Sequence, residues 1–331
     1  MWTLAIELLL VVSGPPEAHS LHEEQTIRSE KLNFVLISDD GRHIAALGPG
    51  GFKLWERNPV HLIGTFGDPA SRANAWWFTA WAFSPDGKTL AVSDVEGTVG
   101  LYGTQRADLA RRLTVSESSV SSLAFSPDGR LLGITSADHL VRIWDVVANR
   151  LLWVSPGAPI GFMRDVAFSP DGGKIAAVAD DANVYVWDVS TGTLSNTFED
   201  TLMASFGLAF TRDGKHLMVG GASSEIFVLN LSAGTLEQTF GRERNVVASL
   251  KLSPRGDMVA SRYRNPADTA KPAPIIVWDI ASGKAKFKLE IPNTHFGAVS
   301  WNESGMFVTS WSDGGLHVWT VPRLSNGGKP R

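Results

Sequence analysis

The hexapeptide AFSPDG occurs three times, at residues 82–87, 124–129 and 167–172, and a weaker copy, AFTRDG, follows at 209–214. Less similar copies lie on both sides of this run. The glycines that end these turns fall at 41, 87, 129, 172, 214, 256 and 305. Seven related units therefore follow one another along the chain, at a spacing of 42 to 49 residues.

Each unit divides into four short apolar or alternating stretches. The SPDG turn joins two of them, because proline presets φ and glycine accepts a positive φ. A turn rich in Asp, Gly and Ala leads to a third stretch, such as LVRIW at 140–144, whose β-branched and aromatic residues favour extended structure. The fourth is seen as LSNTF at 194–198 and LEQTF at 236–240. Four strands in each of seven units predict an all-β propeller.

A large side chain ends the third strand of every unit. These positions hold Trp55, Tyr102, Trp144, Trp187, Leu229, Trp278 and Trp319. In three units the next residue is aspartate, at 144–145, 187–188 and 278–279. This pattern resembles the Trp-Asp (WD) repeat family over about residues 22 to 321. The resemblance implies a seven-bladed β-propeller of four-stranded antiparallel blades, in which Trp144, Trp187 and Trp278 have structural roles.

The sequence departs from the family pattern in two ways. No unit has the Gly-His pair that precedes the first strand, and two units read Tyr102-Gly103 and Leu229-Asn230 in place of Trp-Asp. The family's buried His-Asp-Ser-Trp hydrogen-bond network therefore cannot form fully. Its aspartate position is still occupied by Asp138, Asp181 and Asp313. We expect other polar partners or water at these carboxylates.

The last unit lacks a fourth strand, since only a polar segment follows Leu316 to Trp319. Upstream of the first unit, residues 24–27 (EQTI) nearly repeat residues 237–240 (EQTF) of a fourth strand. We expect residues 23–28 to supply the missing outer strand and close the ring, because an open edge favours aggregation. The propeller then spans residues 21–322, and residues 323–331 form a polar tail.

The first twenty residues form an apolar leader with two interpretations. Its length, its Gly-Pro-Pro break and its small-residue site resemble a signal peptide. Glu7 interrupts the apolar core, however, and no Lys or Arg precedes it, so the segment could instead be a helix packed on the propeller, a partner or a membrane. The protein is secreted or periplasmic if the leader is cleaved, and cytoplasmic otherwise.

Composition and motifs argue against several functions. A net charge of -4 gives no general attraction to nucleic acid, and no apolar run is long enough to span a membrane. The chain has no cysteine, its eight histidines show no ligand spacing, and it carries no phosphate-binding or nucleophile motif. We therefore expect no catalytic residue, no metal and no cofactor.

Two insertions break the repeat, between Trp55 and Gly87 and between Gly256 and Trp278. In propellers of this type both insertions rise from the same face, the one that carries the loops between blades. The candidate partner-binding residues on that face are Trp76, Trp77, Phe162, Arg164, Phe206, Arg262 and Arg264. Aromatic and arginine residues together are typical of binding hot spots. Alternatively, Trp77 and Phe162 fold back and plug the mouth of the central channel.

The leading functional hypothesis is a non-catalytic scaffold that binds protein partners of unknown identity. The alternative is a propeller hydrolase or small-ligand binder with its site at the channel mouth. Catalysis would need converging acidic or histidine side chains, whereas the inner-strand starts hold mainly small, aromatic and basic residues. A third class, a secreted or envelope-associated module, depends on the leader.

Overall fold

A computed structural model of the protein describes most of the chain between residues 22 and 322. The described residues are 22–27, 34–48, 51–66, 78–155, 161–199, 205–241, 243, 245–264, 274–289, 295–302, 305–312 and 315–322. The predicted leader, the C-terminal tail, Trp76, Trp77 and Asp313 lie outside them. None of the described residues belongs to a helix that could cross a membrane.

The fold is all-β, with four-stranded antiparallel sheets in a propeller-like arrangement, and the described residues form seven such sheets. Sheet 1 contains β2 (Phe34–Ile37), β3 (His43–Gly48), β4 (Gly51–Arg57) and β5 (Val60–Phe66). Sheet 2 contains β6 (Phe78–Phe83), β7 (Thr89–Asp94), β8 (Thr98–Gly103) and β9 (Asp108–Thr114). Sheet 3 contains β10 (Val120–Phe125), β11 (Leu131–Ser136), β12 (Val141–Asp145) and β13 (Arg150–Val154).

The remaining sheets follow the same order. Sheet 4 contains β14 (Met163–Phe168), β15 (Lys174–Ala179), β16 (Val184–Asp188) and β17 (Leu194–Phe198). Sheet 5 contains β18 (Ser205–Phe210), β19 (His216–Gly221), β20 (Ile226–Asn230) and β21 (Thr235–Phe240). Sheet 6 contains β22 (Val246–Leu252), β23 (Met258–Arg264), β24 (Ile275–Asp279) and β25 (Lys284–Leu289). Sheet 7 contains β26 (His295–Asn302), β27 (Gly305–Ser312), β28 (Gly315–Pro322) and, beside β28, β1 (His22–Ile27).

The hairpins predicted at the SPDG turns are confirmed, and their side chains explain why the motif repeats. In sheet 2, Ser84 Oγ donates to Asp86 Oδ1 at 2.6 Å and accepts the backbone N–H of Thr89 at 3.0 Å. Gly87 has φ +67° and takes the left-handed position of the turn. The Ser84 hydroxyl lowers the pKa of the Asp86 carboxyl. The same Ser/Thr-to-Asp bond occurs at 38–40, 126–128, 169–171 and 211–213.

Apolar cores lie between successive sheets. The core between sheets 4 and 5 joins Val186 of β16 to Leu217 of β19, and both are buried completely. Trp187 and Trp278 are 2% and 6% exposed, which agrees with their predicted structural roles, whereas Trp144 is only partly buried against the core between sheets 2 and 3. Because each sheet packs on both faces, its second and third strands are apolar on both faces.

The N-terminal strand connects the first and last parts of the described chain. β1 pairs antiparallel with β28, from His22 opposite Thr320 to Ile27 opposite Leu316. Ile27 is buried in a core that also contains Ile37 of sheet 1. The hydroxyl of Ser300 in β26 donates to the Ser38 carbonyl at 3.2 Å, so sheet 7 also contacts sheet 1 directly.

Candidate functional site

Residues of the first strands of the sheets line a cavity of about 890 Å³, which we call the inner cavity. Its walls come from β2, β6, β10, β14, β18, β22 and β26. Several of these strands have a bulge near their start, where the register skips Ser121, Arg164, Phe206 or Ala248. A bulge bends its strand and redirects the extra side chain, so these positions are suited to form a binding surface.

Arg164 is the central residue of the candidate site. Its Cζ lies 4.8 Å from the centre of the Phe162 ring and 5.9 Å from that of Phe206. These distances are those of cation–π contacts, which attract the guanidinium to the electron-rich ring faces. Two adjacent sheets thus hold one cation at the rim of the inner cavity.

Asp180, which the sequence analysis did not single out, fixes the other side of this arginine. Arg164 Nη2 donates to Asp180 Oδ2 at 3.0 Å, and the backbone N–H of Phe162 donates to Asp180 Oδ1 at 2.6 Å. The Arg164 and Asp180 side chains are 41% and 33% exposed, so the pair contributes little to stability but holds the arginine in place. In the sequence, Asp180 is marked as a site residue only by its position in the turn after β15.

Phe162 is half-buried and also contacts sheet 3. The His139 ring lies 6.4 Å away at 76°, an edge-to-face arrangement. His139 has φ +68°, and its Nδ1 is buried without a hydrogen-bond partner among the described residues. At the rim of the cavity, the Phe162 ring therefore contacts His139 and Arg164, and its backbone N–H binds Asp180.

Comparison with models of known families finds a match to two segments of the chain. The model described as WD domain, G-beta repeat, matches residues 108–145 and 157–188, which run from β9 to the end of β16. These two segments match WD repeats, which supports the WD-repeat family for this chain. A search of curated proteins found no match to it.

One more ionisable group, Asp165, lies in the wall of the inner cavity. Asp165 accepts hydrogen bonds from Ser122 Oγ at 3.0 Å, from Val166 N at 2.9 Å and from Leu208 N at 3.2 Å. Burial raises the pKa of the Asp165 carboxyl, while these hydrogen bonds and the charge of Lys251 act in the opposite direction. One carboxylate thereby ties sheets 3, 4 and 5 together.

The structure brings three of the predicted site residues into contact: Phe162, Arg164 and Phe206. Arg262 lines the same inner cavity. Arg264 ends β23 opposite Val246, and its side chain is outside the description, as are Trp76 and Trp77. Among the described residues, no group of three or more acidic or histidine side chains is placed to hold a metal ion.

Proposed function

We propose that this WD-repeat protein is a non-catalytic scaffold that binds protein partners at the rim of the inner cavity. The observation that carries the proposal is the Arg164 guanidinium held between Phe162 and Phe206. WD repeats in general mediate protein–protein interactions. The full site in this proposal also includes Trp76, Trp77, Arg262 and Arg264, which sequence reasoning places on the same face.

The physical support is preorganisation. Asp180 and two aromatic rings restrict Arg164 before any partner arrives, so binding would lose less side-chain entropy than at a free surface arginine. The guanidinium has five N–H donors, and the bond to Asp180 uses one of them. Planar donors beside aromatic faces are the usual composition of interface hot spots.

We also propose that the scaffold is a closed ring of seven blades that spans residues 21–322. The pairing of β1 with β28, and the contact of Ser300 with Ser38, support this closure. Deletion of residues 21–30 should then destabilise the whole ring, because it removes the outer strand of sheet 7. A melting temperature within a degree or two of the wild type would contradict closure by this strand.

The scaffold proposal is tested by comparative affinity capture with mass spectrometry in the native host. The bait is the full chain as wild type, as Arg164→Ala and as the Trp77→Ala, Arg264→Ala double variant. Arg255→Ala is the matched control, since Arg255 also forms a half-exposed pair, with Asp257, but lies at an SPDG-type turn on the other face.

We expect partners that the wild type and Arg255→Ala retain and that Arg164→Ala loses, with unchanged melting curves for all baits. The double variant should lose the same partners. If every partner survives both rim variants, the rim of the inner cavity is not the binding surface.

The alternative, a hydrolase or small-ligand binder in the inner cavity, has weaker support. Its volume would admit a small ligand, but both oxygens of Asp165 already accept hydrogen bonds from protein donors. A carboxylate whose lone pairs are occupied in this way is poorly placed to act as a general base.

A further inference from the structure

The outer strand of sheet 3, β13, differs from the other outer strands in its side chains. Its residues 151–154 read LLWV and are all apolar. At the corresponding positions, every other outer strand has at least one charged or hydroxyl side chain: Thr65, Arg111, Ser195, Glu237, Lys286 or Glu24. Among the described outer strands, β13 is therefore the one that lacks polar protection along its central positions.

Sheet 3 also exposes more aliphatic surface than the repeat explains. One exposed leucine recurs opposite the end of the third strand in five sheets, and Leu151 is the copy in sheet 3. Sheet 3 adds Leu152, which is 39% exposed, and Val147 in the turn before β13, which is 65% exposed. In the described part of the chain, no other sheet exposes three large aliphatic side chains.

A bulge interrupts each outer strand at the position of Leu152, and a bulge makes an edge a poorer template for pairing. In sheets 4, 5 and 6 the bulge position also carries a polar residue: Ser195, Glu237 or Lys286. Geometry and polarity therefore act together in those sheets. In sheet 3 the bulge position is a leucine, so only the geometry opposes pairing.

The next sheet holds β13 in place. Trp153 Nε1 donates to the Val189 carbonyl of sheet 4 at 2.7 Å. A Cβ added to Gly192 would lie 3.1 Å from the Trp153 indole, so the ring also packs on the turn of sheet 4. A strand that is already fixed in extended form loses little entropy when a further strand pairs with it.

The charges of β13 are compatible with a second copy of the same strand. In an antiparallel pair centred on Leu152, Arg150 of one copy lies opposite Val154 of the other, and the two arginines are about 14 Å apart along the strands. The same symmetric pairing would place Lys286 on Lys286 in β25 and Glu237 on Glu237 in β21. Like charges directly opposite each other are destabilising, so those strands exclude a symmetric partner and β13 does not.

We propose that β13 is a self-association surface, at which two copies of this chain pair their outer strands antiparallel about a twofold axis. Leu151, Leu152 and Val147 of each copy are then covered by the other copy. A contact limited to one strand and one turn buries less than the roughly 800 Å² per partner of a standard interface. We therefore expect a weak dimer, with a Kd on the order of 10 μM.

The dimer leaves the rim of the inner cavity free. The first strand of each sheet starts at the rim and neighbouring strands are antiparallel, so β13 ends on the rim side. Antiparallel pairing directs the two rims to opposite sides of the dimer. Self-association is thus independent of partner binding at the rim.

Sedimentation velocity of the full chain, from about 1 μM to about 200 μM, measures the association. The proteins are the wild type, the Leu152→Ser, Val154→Thr double variant, Leu236→Ser and Arg164→Ala. The double variant gives β13 the serine and threonine that β17 has at the same positions. Leu236→Ser is the matched control, because it changes the recurring exposed leucine on sheet 5. Melting curves of all four proteins confirm that they are folded.

A spin-label distance locates the contact. The chain has no cysteine, so one introduced cysteine carries one nitroxide. Arg150→Cys places the label at the start of β13, and Lys284→Cys places it at the start of β25 as the control. In the dimer, the labels at position 150 should be within about 25 Å of each other, whereas labels at position 284 should be more than about 40 Å apart.

The proposal expects a concentration-dependent dimer of the wild type whose Kd rises at least tenfold in the double variant and is unchanged in Leu236→Ser and Arg164→Ala. Three results would overturn it: a wild type that stays monomeric at every concentration, a double variant that dimerises as tightly as the wild type, or labels at position 284 that are closer together than those at position 150. The first result would make β13 an edge for a strand of another protein instead.

Discussion

Sheets 3 and 6 both contain the Trp-Asp pair, yet they satisfy their buried polar groups differently. In sheet 6, Trp278 Nε1 donates to Ser261 Oγ at 2.7 Å. In sheet 3, Trp144 Nε1 is buried with no hydrogen-bond partner among the described residues. The cause is one residue on the neighbouring strand. Two positions beyond the residue opposite the tryptophan, sheet 6 has Ser261 and sheet 3 has Ile134.

Sheet 3 uses an ionic cluster instead. The Asp138 carboxylate accepts hydrogen bonds from Arg142 Nη1 at 3.1 Å, from Ser136 Oγ at 2.6 Å and from Ser116 Oγ at 3.1 Å. Ser116 occupies the position where the family has histidine, so the predicted replacement by other polar partners is confirmed in this sheet. Sheet 6 therefore satisfies its buried tryptophan with a neutral hydrogen bond, whereas the polar groups of sheet 3 depend on the ion pair of Arg142 with Asp138.

The largest expected effect concerns the tryptophans themselves. Trp278→Ala should lower the free energy of unfolding by about 3–5 kcal/mol, because it leaves a cavity in the core between sheets 5 and 6. Trp144→Ala should cost less, since its ring is only partly buried. Urea unfolding of both variants measures the difference. Equal losses would mean that burial does not distinguish the two sheets.

The next effect separates charge from packing. Arg142→Met should cost about 3 kcal/mol, because it leaves the Asp138 carboxylate without its cation while the methionine keeps most of the volume. The Arg142 side chain is only 10% exposed, so water replaces little of the interaction that Asp138 loses. Arg150→Met, at an exposed position of the same sheet, is the control and should be neutral. A neutral Arg142→Met would show that the cluster is dispensable.

These contacts show where sequence reasoning succeeds and where it stops. The SPDG turns are predictable because Ser84, Asp86 and Gly87 interact within six residues and need no partner from another sheet. The ionic cluster was only partly predictable: Asp138 stood at a motif position, whereas nothing in the pattern marked Arg142 as its partner.

The candidate site was predictable to a similar degree. Arg164 and Phe206 could be named as inner-strand starts from the repeat spacing alone, and Phe162 as an aromatic residue of the loop that precedes Arg164. The bulge that redirects Arg164, and the position of Asp180 beside it, depend on the register of β14 against β15. Register is set jointly by the apolar patterns of the two paired strands and by the turn that joins them, so the residues of β14 alone do not determine it.

Acid should affect sheet 3 more than sheet 6. Burial alone would raise the pKa of Asp138, but hydrogen bonds from Arg142 and Ser136 lower it from 3.8 to about 2. A carboxyl whose pKa falls on folding stabilises the protein fully above about pH 4, and this stabilisation is lost as the pH falls toward 2. The contribution is about 2 kcal/mol.

Chemical unfolding of the wild type and of Asp138→Asn between pH 5 and pH 2.5 measures this contribution. The stability difference between the two proteins should shrink steadily as the pH falls, since the Asp138 carboxyl takes up a proton in the unfolded chain, with its ordinary pKa of 3.8, well before it does so in the folded protein. A difference that stays constant over this range would exclude Asp138 as the acid-sensitive group of sheet 3.

The smallest effect tests the opening comparison most directly, by changing each tryptophan to phenylalanine. Trp278→Phe should cost about 1 kcal/mol more than Trp144→Phe, because only Trp278 donates a hydrogen bond that phenylalanine cannot make. In Trp144→Phe, the loss of ring area is offset by removal of a buried donor that has no acceptor. Urea unfolding at pH 7 resolves this difference. Adding Ser261→Ala to each variant gives the coupling energy between Ser261 and each tryptophan. If Trp144→Phe costs as much as Trp278→Phe, the Trp144 indole has a partner after all, and the two sheets do not differ in the way their tryptophans are satisfied.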